Sequence, residues 1–147
     1  MIINNSIKAI IIDKTRLLTV QMKSDDGKEY YTLPGGKQRP DELMLDALKR
    51  EVKEETGFNI EPKSLLFIRE GFNNESQHHR IEFMFICEIV GEPDESALKF
   101  DDNQVGVKWL NIDNITHEEL QPAELRNVIK RHFLGKRNDI YLGQMEN

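Results

Sequence analysis

The chain has 147 residues, of which 38% are apolar and 31% charged, and its formal net charge is −6. That size fits one domain, 1–147, with room for a real core. The acidic balance argues against extended nucleic-acid binding, which relies on Lys and Arg to neutralise phosphates, and no run approaches the ~20 apolar residues of a membrane span.

The N-terminal stretch lacks the basic lead and the apolar length of a secretory signal. Residues 7–13 are apolar on both faces and read as a covered strand. A short turn leads to a second strand at 16–22, and Ser24, Asp25, Asp26 and Gly27 mark another turn. A third strand at 29–33 delivers the chain to Gly35 and Gly36, where the missing Cβ lets backbone come close to a ligand. Lys37 follows directly and is a candidate phosphate contact; a solvated loop lysine is the alternative.

The stretch 35–58 organises the chain. Met44, Ala47, Leu48 and Val52 recur at helical spacing, Pro40 precedes the start, and Gly57 sits where a helix stops. Asp41 is the expected N-cap, since Leu43 has no side-chain acceptor. At 3.6 residues per turn, Glu51 and Glu55 fall on the inward stripe of Met44 and Leu48, with Glu54 one step aside. Like charges four apart disfavour a helix by roughly 0.2–0.5 kcal/mol, and partial burial adds to that cost. A bound divalent cation offsets both, because hard ions such as Mg²⁺ take oxygen ligands. Arg50 can reach Glu54 one turn later and hold it.

Gly36, five residues, Glu42, seven residues, then Arg50-Glu51-Val52-Lys53-Glu54-Glu55-Thr56-Gly57-Phe58 resembles the box of the Nudix (MutT-like) hydrolase family, with every fixed position matched over 36–58. The departures, Asp41 and Leu43 around Glu42 and a Phe at 58, touch no carboxylate of the helix. The resemblance implies an α/β fold, a mixed central sheet sandwiched between helices. It also implies a Mg²⁺-dependent (or Mn²⁺-dependent) pyrophosphohydrolase that cleaves a nucleoside diphosphate linked to a further group by water attack at phosphorus. The alternative is a nucleotide-binding or regulatory domain without turnover. By position, the carbonyl of Gly35 joins Glu51, Glu54 and Glu55 as metal ligands. Glu54 or Glu51 is the base, Arg50 orients a glutamate, and Glu42 supports the site. The implied partner is a small nucleotide substrate.

Further along, 65–69 reads as a strand and 71–79 as a polar, substrate-reading loop. His78 and His79 read as solvated or singly hydrogen-bonded, and Arg80 is a candidate phosphate contact. Some Nudix subfamilies carry a proline or tyrosine past the box that goes with ADP-ribose or dinucleoside polyphosphates. Here stand Asn73, Asn74, Glu75 and Ser76, which points away from both. Residues 81–90 form the strongest and most central strand, with Glu82 expected at its surface. Cys87, the single cysteine, sits in this apolar run as a small buried hydrophobe, and its solitude fits a reducing, cytoplasmic setting. The acidic loop 91–103 holds the ligand that the resemblance expects outside the box: Asp102 or Asp101, with Glu95 behind them. A strand at 105–111 is anchored by Trp109. A second amphipathic helix spans 122–134, opened by Pro122. The tail from Gly135 either frays or pairs with another subunit in a homodimer.

Overall fold

The computed structural model describes residues 1–146; Asn147, the last residue of the expected domain, lies outside them. Nine strands and two α-helices follow in the order β1 (Ile2–Ile10), β2 (Ile12–Asp13), β3 (Arg16–Lys23), β4 (Glu29–Thr32), β5 (Gly35–Lys37), α1 (Met44–Thr56), β6 (Ile60–Asn73), β7 (His78–Ile89), β8 (Gln104–Asn111), α2 (Leu125–Phe133) and β9 (Tyr141–Gln144). Short 3-10 turns occupy Glu95–Ala97 and Ile112–His117. No helix among the described residues is long and apolar enough to cross a membrane.

The larger sheet runs β5-β1-β7-β6-β9 and is mixed: β1 is parallel to β7 and antiparallel to β5. In the smaller sheet β3 pairs antiparallel with β2, β4 and β8. Alternation along β1 decides what covers each face. Ile7 and Ala9 pack with Ala47, Leu48 and Val52 of α1. Ile10 turns the other way, into a cluster with Phe67, Met84 and Leu125 and Ile129 of α2. Each of the larger side chains among these, fully buried, contributes about 1.5–3 kcal/mol. The central sheet is therefore sandwiched between helices, and β7 holds its middle place as the apolar run predicts.

Several expectations need correction. Asp41 is not the N-cap: it has φ 63 in the turn closed by Glu42 N–H on Arg39 O, and Leu43 takes the cap position with no side-chain bond. α1 does end at Gly57, whose left-handed φ of 79 suits glycine. The polar segment 71–79 is a loop only at its centre, where 74–77 form a turn; its two ends are strand. β6 and β7 extend into a long hairpin with Gly71 opposite Arg80 and Asn73 opposite His78. Its polar side chains border a cavity and solvent, which hides the strand pattern.

Glu82 does not face the surface. It is 3% exposed and accepts from Arg69 Nε at 2.9 Å and Nη2 at 3.1 Å. Trp109 is half-buried at the rim of the core, edge-on to Phe58 and beneath the Arg16 guanidinium. Pro122 precedes α2 rather than opening it, and its carbonyl accepts from Leu125 N–H. Within the tail, Tyr141–Gln144 form β9, which adds parallel to β6 of the same chain.

Candidate metal and phosphate site

The loop into α1 fixes the site by close approach. Gly35 has φ 136, and a Cβ there would stand 2.0 Å from Ile7 O. Its N–H donates to Glu55 Oε1 at 2.7 Å, which ties the last turn of α1 to β5. A Cβ on Gly36 would stand 2.6 Å from the Glu51 carboxyl carbon, so Gly36 makes the hollow in which that carboxylate lies.

Glu51, Glu55 and Asp101 each bring one carboxylate oxygen to within 4.8 Å of the others. Asp101 comes from the loop after β7, which is held to α1 by backbone bonds Asp94 N–H to Gly57 O and Lys99 N–H to Glu54 O. The Gln104 amide adds a bond to Glu55 O at 2.9 Å. Asp101 thus joins the cluster; Asp102, its neighbour in a turn, does not, and neither does Glu95.

Arg50 organises the outer side. Its Nε and Nη2 bind both oxygens of Glu42 at 2.8 and 3.0 Å, and Nη1 reaches Glu51 Oε1 at 2.9 Å and Glu54 Oε2 at 3.7 Å. The remaining contact is Nη2 to Lys37 O. The bidentate bond to Arg50 lowers the Glu42 carboxyl to about 2. Glu54 stands at the rim, outside the three-carboxylate group, with a side chain 28% exposed.

Glu55 has the opposite environment. It is 6% exposed, and burial pushes its carboxyl up to about 7. Lys8 and the Gly35 N–H oppose that rise, while Glu51 and Asp101 add to it. Three carboxylates, one of them buried and reluctant to ionise alone, form a donor set that fits a hard divalent cation. Gly35, whose N–H holds Glu55, accepts from Lys8 Nζ on its carbonyl at 3.4 Å.

The other expected contacts lie apart. The Lys37 side chain is exposed on the edge strand β5. Arg80 pairs in register with Asn4, four residues along β1 from Lys8, about 13 Å away at strand rise. It borders a polar cavity of about 490 Å³ together with Asn73, His78 and Gln144. His78 makes one bond to Ser76 and His79 one to Glu70, as read from the sequence. Cys87 is buried, and burial pushes its thiol up to about 12. Sequence reasoning missed Lys8, whose signal was a lone cation inside an apolar strand.

Known proteins can now be compared. An ADP-ribose pyrophosphatase of Methanocaldococcus jannaschii is 28% identical over 110 residues, 75% of this chain and 63% of its own. An 8-oxo-dGDP phosphatase of Danio rerio is 31% identical over 101 residues, 68% of this chain and 29% of its own. The chain thus spans less than two thirds of the length of these curated relatives. Among solved structures, a NUDIX hydrolase from Nitrosomonas europaea superposes with a TM-score of 0.76 at 25% identity, covering 93% of each chain. A MutT protein from Methanosarcina mazei Go1 gives 0.70 at 25%, covering 92% of this chain and 97% of that one. The NUDIX domain model matches residues 4–132. With the acidic helix, the glycine pair and the sandwiched mixed sheet in place, the chain belongs to the NUDIX domain family.

Proposed function

We propose that this chain is a Mg²⁺-dependent pyrophosphohydrolase that cleaves the diphosphate bond of a small nucleoside diphosphate derivative. The observation that carries the reading is the Glu51, Glu55 and Asp101 cluster, with oxygens within 4.8 Å and Arg50 clamped across its outer side. Glu51, Glu55, Asp101 and the Gly35 carbonyl would hold the cation. When bound, it supplies charge neutralisation for the phosphates and a more acidic water.

The chain's own groups do the rest. Arg50 fixes Glu51 directly and keeps Glu42 ionised, so the carboxylate nearest Gly36 is held in one orientation. Glu54 is less tightly held and more exposed than Glu51, with side chains 28% and 14% accessible. That exposure and looser contact suit a group that takes a proton from attacking water, so Glu54 is the base in this reading. The named substrates of the relatives, ADP-ribose in one and 8-oxo-dGDP in another, share a nucleoside diphosphate unit. That unit is the substrate class proposed here, with the chain acting in the cytoplasm.

The test is monophosphate release from a panel of nucleoside triphosphates, nucleotide sugars and ADP-ribose, in Mg²⁺ and in EDTA. The expected result is metal-dependent turnover that Glu54→Gln lowers by at least about 100-fold in kcat, the scale of a lost general base. Turnover that survives EDTA, or a Glu54→Gln chain as fast as wild type, sinks the reading.

A further inference from the structure

Lys8 interrupts the apolar run of β1 between buried Ser6 and buried Ile10, on the face turned toward α2. It is half-buried, and its ammonium donates to Leu33 O at 3.3 Å and Gly35 O at 3.4 Å. Both distances exceed the roughly 2.7–3.2 Å of a well-made bond. The contact ion pairs of this region join Arg69 and Arg80 to Glu82; among the described residues Lys8 makes none, although both Glu82 and Glu55 feel its charge. Carboxylates at longer range offset the desolvation of a cation less than an anion in direct contact does. An ammonium has three donors, so one N–H is left for an incoming acceptor.

The surroundings say what that acceptor is. Lys8 pairs in register with Gly35, whose own N–H holds Glu55, so the ammonium and the acidic cluster flank the same backbone residue. On its other side Lys8 borders a small cavity of about 40 Å³ with Arg69, Arg80, Glu82, Gln121 and Pro122. Arg69 and Arg80 are walls of this cavity and of the 490 Å³ one beyond it. The two cavities thus share the Arg69 and Arg80 walls, and Lys8 stands at the smaller one.

We infer that Lys8 binds the second phosphoryl group of a diphosphate held at the Glu51–Glu55–Asp101 cluster, so that the group beyond extends past Arg80. Its remaining N–H makes a charge-assisted bond to a phosphoryl oxygen, a stronger interaction than either of its two long carbonyl bonds. The identity of the ligand rests on the hydrolase reading; the position of the cation does not.

The test is calorimetric binding of inorganic pyrophosphate and of orthophosphate in Mg²⁺ to the full chain carrying Glu54→Gln, with Lys8 kept or changed to Met, Gln or Arg. Melting curves without metal establish that each variant folds. Lys8→Met and Lys8→Gln should weaken pyrophosphate by about 10- to 100-fold and orthophosphate by less than about threefold, with Lys8→Arg recovering most of the loss. Equal loss for both anions means a lysine that merely pins β5, and it overturns the inference. Unchanged pyrophosphate binding, or no pyrophosphate preference with Lys8 in place, overturns it too. The hydrolase reading fails separately: wild type then turns over no diphosphate while the Lys8-dependent preference persists.

Discussion

A methyl group added at Gly35 would stand 2.0 Å from the Ile7 carbonyl oxygen, whereas one added at Gly36 would meet the Glu51 carboxyl carbon at 2.6 Å. Backbone cannot give way as a side-chain end can. Gly35→Ala should therefore cost more than about 3 kcal/mol, from overlap and from a φ that L residues avoid. Gly36→Ala should fold with a loss under about 1.5 kcal/mol, yet displace Glu51 and abolish any Mg²⁺-dependent rise in melting temperature. Urea midpoints with and without Mg²⁺ check both; equal destabilisation by the two would refute the division. At this scale the box residues were legible, because their spacing is local. Asp101 over Asp102 was not. The choice depends on bonds from Asp94 and Lys99 to the end of α1, far away in sequence.

β6 and β7 are joined through their interior by a charge pair. Glu82 and Arg69 are 3% exposed each, and Arg69 also donates to Met145 O just beyond β9. Burial alone would raise the Glu82 carboxyl, but Lys8, Arg69 and Arg80 together outweigh it and hold the group below its ordinary range. Glu82→Leu alone leaves a buried guanidinium without its carboxylate and should cost about 3–5 kcal/mol, while adding Arg69→Met should recover much of it. Urea unfolding of the two variants measures this; a single variant as stable as wild type would show that the pair adds nothing. The sequence hides such a pair because two charged residues thirteen apart look like solvent-facing ones. The periodic elements α1 and α2 were legible, as were the middles of β6 and β7; the outer ends of their hairpin were not, since Glu70, Gly71, Asn73 and the polar run 78–80 mask the strands there.

For the molecule as a whole, the cluster sets a link between metal, proton and stability. The Glu55 carboxyl titrates near 7 when folded, above the 4.5 of an unperturbed one. A raised value means that its stabilising contribution is complete below the unfolded value and is lost as pH climbs through the folded one. Without metal, this one group should cost on the order of 3 kcal/mol by pH 8. Metal requires the ionised form, so Mg²⁺ should raise the melting temperature at pH 8 and leave it nearly unchanged at pH 5. Glu55→Gln should flatten the metal-free difference between the two pH values and remove the Mg²⁺ response. A Mg²⁺ response at pH 5 as large as that at pH 8 would refute the link.

Two of the three clustered carboxylates stand on a helix packed into the core, and the third stands on an exposed acidic loop moored to that helix by a few main-chain bonds. Such a site is assembled from a rigid half and an adjustable half. For a cation held there, the affinity would be the intrinsic affinity scaled by the fraction of time the loop is seated. Substitutions among residues 91–100 would then tighten or loosen the grip on a metal while each of the three carboxylates keeps its identity, a dial for cation dependence set apart from the chemistry.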